Sequence, residues 1–370
     1  MKQQVKKAVL AYSGGLGSSI IIPWLKENYG CEVIAVVADI GQEEEVSIIK
    51  EKALKGGASK VFVENLRSEF VTEFLWPLVK SGAAYEGSYL LGTAIAGPLI
   101  AKHQVKIALQ EGADALVHGC TAESNDETRF DFTYKVFAPL LKVIAPWREW
   151  EIRSRSGALA YALARNIPIE VREEKLYSHD SNLWHSSHEG GILENSEAAP
   201  PEDLFERTLD PSASPDGESE ITIDFKHGIP VGLNGKSIPP VQIIEDLNEI
   251  GGTNCIGRVD MVESQIAGGK SRGVYETPGG TLIMTARNQL ESLVLDRRTR
   301  YHKDMLSVTY AQLVYDGEWF TPLRESLDAF FSKANEVVTG SVTFILYKGN
   351  LAVKSRRSPN RLPAARQAYS

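Results

Sequence analysis

The densest concentration of anion-binding potential in the chain is Ser13-Gly14-Gly15-Leu16-Gly17-Ser18-Ser19, which follows an apolar run and precedes a helical pattern. Glycines let the backbone curl so that several N–H groups face one anion. The start of a helix adds partial positive charge, and serine hydroxyls add donors. That combination suits phosphate or pyrophosphate; the bland alternative is a strand-to-helix turn with no ligand. The segment has neither a Walker lysine nor G-x-G-x-x-G spacing. A second glycine-rich stretch, Ala267-Gly268-Gly269-Lys270-Ser271, fails as a Walker loop because Ser264 stands where its first glycine belongs. His179, His185 and His188 cluster, and the last two have a spacing that could hold a metal. They read as ordinary loop histidines, and no metal site is expected. Cys31, Cys120 and Cys255 have no zinc or disulfide spacing and read as isolated thiols in a reducing compartment.

The elements that must position the loop are legible in outline. Residues 7–12 (KAVLAY), 33–39 (VIAVVAD), 60–64 (KVFVE), 115–119 (ALVHG) and 142–145 (KVIA) read as strands. Helix-length segments lie between them, at 68–80 and 89–111. Continuous apolar strands alternating with helices predict a parallel sheet covered on both faces, with ligands beyond the carboxyl ends of the strands. Pro23 falls inside the first helix and removes one of its hydrogen bonds. The pattern changes near residue 170. Residues 194–220 are rich in Pro, Glu, Ser and Asp and read as a long surface excursion. Strands are expected at 221–226 and 228–233 with an Asn234-Gly235 turn, and a helix at 241–250. A strand at 281–285 should lead into a helix to about Leu293. A late hairpin is expected from 340–347 and 351–354, and residues 355–370 as a mobile tail.

A chain of 370 residues argues for about two domains. Its 43% hydrophobic content excludes global disorder. With 40 basic and 48 acidic residues the net charge is −8, which disfavours a dedicated nucleic-acid binder and suits an enzyme of small metabolites. The N-terminal apolar run is too short for a signal peptide and no stretch is long enough for a membrane span, so a cytoplasmic location is expected.

The glycine–serine loop resembles the SGGxDS loop of the N-type ATP pyrophosphatases. The resemblance sharpens along residues 85–93 (YEGSYLLGT), Asn125-Asp126 with Arg129-Phe130, 142–149 (KVIAPWRE), and Ser178 with Asp180 and Asn182-Leu183-Trp184. It continues through Glu189-Gly190-Gly191, 270–280 (KSRGVYETPGG), 313–315 and 346–350. These are similar to argininosuccinate synthases in one register from about residue 7 to 350. The resemblance implies an α/β fold: a HUP-like parallel-sheet nucleotide-binding domain over 1–170 and an α+β synthetase and oligomerisation domain over 171–350; residues 351–370 are expected as a tail unlike the family's ending. It also implies a ligase that condenses citrulline with aspartate through citrullyl-AMP, giving argininosuccinate, AMP and pyrophosphate. Its substrates would be ATP with Mg²⁺, citrulline or a related ureido compound, and aspartate. No covalent nucleophile, nucleic acid or membrane would be involved, and the family assembles as homotetramers.

Carried over residue by residue, Ala11, Tyr12, Ser13, Gly14, Gly15, Leu16, Gly17, Ser18 and Ser19 would bind ATP, with Ala38 and Gly119. Thr121, Asn125 and Asp126 would bind aspartate, the carboxylate of Asp126 suiting its ammonium. Tyr89, Asn125, Arg129, Ser178, Ser187, Glu263 and Tyr275 would bind citrulline. Arg129 would grip a carboxylate with its planar fork and Glu263 would meet the α-ammonium.

Several ligand-facing motifs depart from the family. Gly17 replaces the loop aspartate, and Ala122-Glu123-Ser124 replaces Gly-Lys-Gly, so a cation becomes an anion. Ala94, Gly97, Thr253-Asn254-Cys255, Ser264-Gln265 and Gly269 are further substitutions. Lys270, Arg272 and Arg258 are the cations that could take over the lost charge. The substitutions leave three readings open: a working synthase, a paralogue adenylating another ureido or carboxylate acceptor, and an impaired member acting as a binding protein.

Overall fold

The computed structural model describes residues 5–42, 45–122, 124–152, 154–167 and 177–363. Glu123 and the expected boundary at 170–171 lie outside the described residues. The first part runs β1 (Lys7–Ala11), α1 (Leu16–Tyr29), β2 (Glu32–Asp39), α2 (Val46–Lys55), β3 (Lys60–Asn65), α3 (Arg67–Glu69) and α4 (Trp76–Ser81). It continues through α5 (Gly92–Gln110), β4 (Ala115–Val117), α6 (Asn125–Phe137), β5 (Lys142–Ile144), α7 (Pro146–Glu149) and α8 (Arg155–Ala164). Its five strands lie in the order β3-β2-β1-β4-β5, and every pair is parallel. In β1, Ala8 and Leu10 pack with α1, α2 and α8, while Val9 packs with α5 and α6. Burial on both faces is why these strands read as unbroken apolar runs. The strand order reverses between β1 and β4, so the loops after those two strands open at the switch point where such sheets bind ligands.

The expected helix over 68–80 is interrupted. A π-helical segment, Phe70–Leu75, separates α3 from α4. Pro77, which has no N–H to give, follows it in the first turn of α4.

The second part contains β6 (Ser178–Ser181), β7 (Ser186–Glu189), β8 (Ser219–Lys226), β9 (Ile229–Leu233), β10 (Lys236–Ser237) and α9 (Pro240–Thr253). Then come β11 (Arg258–Ser264), β12 (Lys270–Glu276), α10 (Pro278–Val294), α11 (Arg297–Tyr315), α12 (Pro322–Asn335), β13 (Gly340–Tyr347) and β14 (Asn350–Arg357). They form two antiparallel sheets, β10-β9-β8-β13-β14 and β11-β12-β7-β6. The fold is therefore mixed α/β, a parallel HUP-type sheet followed by an α+β part. Asn234 and Gly235 both have positive φ, +53° and +75°, as a two-residue type I′ hairpin turn requires. Among the described residues no helix is long and apolar enough to cross a membrane.

Two expectations are corrected. No strand forms at 281–285; α10 starts directly at Pro278, the favoured first helical position. Gly280 lets the helix close on Trp184, since a Cβ there would stand 2.9 Å from the indole. Nor is the described part of the tail free. Ser355–Arg357 complete β14, Ser358 Oγ donates to the Thr339 carbonyl at 2.6 Å, and Leu362 N–H to Leu293 at 3.1 Å.

The polar excursion after β7 is pinned by one carboxylate. Glu276, fully buried at the end of β12, accepts from the N–H groups of Glu206, Arg207 and Thr208 at 2.8–2.9 Å. It also accepts from the Thr208 hydroxyl at 2.7 Å, and His188 lies 3.3 Å away. Burial pushes its pKa up, but these bonds outweigh burial and hold it below the ordinary value. Leu193, Leu204 and Val274 close a small apolar cluster beneath the excursion. Glu276→Gln removes one acceptor oxygen and sets an amide N–H against donors. It should lower unfolding free energy by about 3 kcal/mol, read by urea denaturation; a loss under about 1 kcal/mol would contradict this anchoring.

Candidate functional site

The expected nucleotide loop leaves β1 and enters α1. Gly14 has φ +83°, and Gly15 caps the helix without a side-chain bond, which leaves the first-turn N–H groups uncapped by side chains. No acidic residue occupies the first turn. Ser13 Oγ lies 3.1 Å from Ser18 Oγ, and Ser18 Oγ donates to the Gly15 carbonyl. Ser19 is buried and bonded to Tyr12 Oη at 2.9 Å. Tyr12 and Ser19 therefore shape the loop; Gly14 is buried, and Ser13 and Gly15 face outward. Ala38, next to last in β2, lies two strand positions beyond Val36, the partner of Ala11. Gly119 follows β4, and a Cβ there would come within 3.0 Å of Ile21 and 3.9 Å of Ser18 Cα. Glycine at this position spares the tip of the Ile21 side chain from having to shift.

Gly17 is the opposite case. It has ordinary helical geometry, and a Cβ added to it meets nothing within 4 Å. An aspartate there would sit in the first turn, favoured by the helix dipole and free of glycine's entropy cost. Gly17→Asp should raise unfolding free energy by about 0.5–1 kcal/mol in thermal or urea melts; destabilisation would show that the space is not open.

Six residues beyond Gly119, the same loop delivers Asn125 and Asp126 into a cleft of about 480 Å³, counting its open mouth. One face of the sheet β11-β12-β7-β6 supplies its far wall. The register pairs Asp180 with Ser187, Ser187 with Tyr275, and Glu189 with Gly273, so these residues share a face. Glu263, opposite Ser271, has the same parity. The other face carries His179, Ser186, His188 and Glu276. A Cβ at Gly273 would collide with the Tyr275 hydroxyl, so the bare glycine lets that phenol lie flat and reach Glu263 at 2.9 Å.

Of the seven residues expected at the citrulline pocket, the cleft brings together Tyr89, Asn125, Arg129, Ser187, Glu263 and Tyr275. Ser178, at the outer end of β6, is exposed and does not line it. Thr121 is also exposed outside the wall. Tyr89 stacks on Tyr275 with ring centres 4.4 Å apart, and its hydroxyl accepts the Thr93 N–H in the first turn of α5. Asp126 is already paired with Arg129 at 2.8 Å. Arg129 is buried rather than on the surface, and its Nε donates to the Tyr315 carbonyl at 3.0 Å. With Nε and one Nη1 N–H committed, it keeps the second Nη1 N–H and both on Nη2 for a ligand carboxylate.

Thr93, Ser124, Asp180, Glu189 and Gln265 also line the cleft. They were not assigned roles from sequence, although Ser178/Asp180 and Ser187/Glu189 show the two-residue alternation of strands facing one site. Asp180 and Glu189 make no hydrogen bond or ion pair among the described residues. Asp180 and Glu189 are exposed toward the cleft opening. Partial desolvation between the cleft walls, then repulsion from Asp126, pushes Asp180 up to about 6. The same desolvation, then Asp126, Glu263 and Asp180, pushes Glu189 up to about 7. Burial also raises Glu263 despite bonds from Tyr315 and Tyr275. The wall thus carries four carboxylates and one guanidinium, a balance that suits ligands bearing ammonium groups and one carboxylate to be gripped by Arg129.

The histidines have structural partners. His179 Nδ1 lies 3.2 Å from His188 Nδ1, and His185 Nε2 lies 2.9 Å from Thr93 Oγ1. Burial and nearby Arg207 push His185 down to about 3, leaving a neutral imidazole.

Glu189 sets a pH dependence. Its carboxyl titrates near 4.5 unfolded and about 7 folded. The folded state holds the proton longer, so this group costs the ligand-free protein stability as pH rises from about 4.5 to about 7. Glu189→Gln should melt with the wild type near pH 4.5 and above it at pH 8. Equal melting at both pH values would refute the shift.

Comparison with known proteins extends this picture. Residues 7–168 match the family described as "Arginosuccinate synthase N-terminal HUP domain", and residues 177–368 match "Arginosuccinate synthase C-terminal domain". The chain is 55% identical over 363 residues to the argininosuccinate synthase of Roseiflexus sp. (strain RS-1), covering 98% of this chain and 89% of that one. It is 55% identical over 357 residues to that of Carboxydothermus hydrogenoformans, covering 96% and 89%. It is 51% identical over 363 residues to the chloroplastic enzyme of Arabidopsis thaliana, covering 98% and 74%.

Proposed function

This chain belongs to the argininosuccinate synthase family, and from that premise we propose how its own residues carry the reaction. It is an ATP-dependent ligase that joins citrulline to aspartate. The reading of a paralogue with another acceptor, or of an impaired binding protein, is not favoured at this identity and coverage. The observation that carries the assignment of roles is the cleft that gathers Tyr89, Asn125, Arg129, Ser187, Glu263 and Tyr275 beside the β4–α6 loop.

Citrulline lies in this cleft, its carboxylate on the uncommitted N–H groups of Arg129 and its α-ammonium toward Glu263. ATP lies on the residue 11–19 loop, with Ala38 and Gly119 flanking the nucleotide and the α1 N-terminus facing the phosphates. Mg²⁺ would come with ATP, held by its phosphates, since Gly17 has no side-chain carboxylate to hold it. The ureido oxygen attacks the α-phosphorus; that O–P bond forms as the bond to the β-phosphate oxygen breaks and pyrophosphate leaves. The aspartate nitrogen then attacks the ureido carbon, whose bond to oxygen breaks as AMP departs. Before attack the aspartate ammonium must shed a proton, and Asp180 and Glu189 stand unpartnered in the cleft to take it. Positioning and charge neutralisation do the rest, with no covalent enzyme intermediate.

A cytoplasmic homo-oligomer fits the remaining features. Tyr301, Met305 and Val308 form an exposed apolar stripe on α11, spaced four and three residues apart. The decisive test is pyrophosphate release from Mg-ATP with the product identified by mass. Release should require citrulline and aspartate together and yield argininosuccinate. Release without citrulline, or no argininosuccinate from folded protein, would overturn this function.

A further inference from the structure

We propose that Tyr315, the last residue of α11, is a positioning residue that sets the charge and orientation of the citrulline site. This rests on the function just proposed. Tyr315 belongs neither to the cleft wall nor to the nucleotide loop. It is fully buried behind the wall and meets three of the wall's polar residues at once. Its hydroxyl donates to Glu263 Oε1 at 2.8 Å. The same oxygen accepts from Asn125 Nδ2 at 2.8 Å. Its carbonyl accepts Arg129 Nε at 3.0 Å, and its ring lies 5.1 Å from that guanidinium. On the far side the ring stacks on Tyr85, with centres 3.6 Å apart.

These contacts come from different parts of the chain. Asn125 and Arg129 sit on α6 of the nucleotide-binding part, whereas Glu263 ends β11 of the second part. The phenol is thus a single-atom bridge between the two walls. Asn125 extends it, because its Oδ1 accepts the Ile266 N–H at 3.0 Å just past β11. Without the bridge, Asn125 Nδ2 loses its acceptor and Glu263 keeps only Tyr275 on Oε2 and Gln265 at 3.3 Å on Oε1.

The bridge also acts on charge. Glu263 is buried, and burial favours its neutral form, which cannot pair with an ammonium. Arg129 on α6 and the hydroxyls of Tyr275 and Tyr315 oppose burial; Glu86, before α5, adds to it. Tyr85, Tyr89 and, on β7, Glu189 also face the Glu263 carboxylate. Of these groups Tyr315 alone touches both Glu263 and the α6 wall.

The test is Tyr315→Phe in the full-length enzyme, which keeps the ring, the Tyr85 stack and the carbonyl acceptor while deleting the hydroxyl. The KM for citrulline should rise about tenfold, with kcat and the KM for ATP within about twofold of wild type. The acid limb of kcat/KM for citrulline should also move to higher pH, because Glu263 then takes a proton more readily. A purely structural role would not move that limb. An unchanged citrulline KM and pH profile in an active variant would overturn the inference, as would equal losses for all three substrates with a lowered melting temperature. A folded wild type that forms no argininosuccinate would overturn the proposed function, and this inference with it.

Discussion

The site depends on which way the β11-β12-β7-β6 sheet faces, and a buried carboxylate decides that. Side chains alternate along a strand, so Tyr275 and Glu276 must point to opposite faces. Glu276 is held on the outer face by three backbone N–H groups, a hydroxyl and His188. Tyr275 is therefore turned inward, and through pairing so are Ser187, Asp180, Glu189 and Glu263. A slip of one residue would bring Glu276, Val274 and His188 to the cleft and abolish it. The polar excursion that sequence composition assigns to the surface is thus what fixes the orientation of the binding wall.

The parallel sheet was legible because its chemistry is local. Apolar runs bounded by turns, with a glycine–serine loop after the first, need no distant partner to be recognised. The residue types of the cleft were legible through the resemblance, since six of the seven residues matched to citrulline do converge. What stayed hidden depends on pairings between distant residues. The partnership of Asp126 with Arg129, the isolation of Asp180 and Glu189, and the bridge made by Tyr315 leave no periodic trace. Helix α10 was read as a strand at its start because it is buried at many positions, which blurs the three-to-four-residue rhythm of an amphipathic helix.

Charge in the cleft is arranged for ligands and against the empty protein. Four carboxylates crowd one guanidinium, and desolvation, full at Glu263 and partial at the exposed Asp180 and Glu189, raises the pKa of all three. An α-ammonium placed against these carboxylates relieves that repulsion locally, while the substrates' own carboxylates must be met by Arg129 and neutral donors. The Asp126–Arg129 pair keeps the single cation charged although burial works against it. The same strain that weakens the ligand-free state is therefore differential binding energy for the substrates.

The nucleotide loop poses the reverse problem, because the family's aspartate is a glycine and the following motif has lost its lysine. Three cations could compensate, and the structure shows each already engaged. Lys270 donates to Ser264 beside Glu86. Arg258 is spent on Glu202 and Thr208. Arg272 is held by Asp260 and the carbonyls of Asn195 and Ala198. Releasing any of them would strand its acceptors, so none is a ready substitute. Among the described residues, the loop's own source of positive potential is its backbone: N–H groups not capped by side chains at the start of α1 and a first turn without acidic residues. Glycine at position 17 is consistent with that arrangement. It gives no carboxylate to a metal, but it also sets no negative charge against the phosphates that those N–H groups must hold.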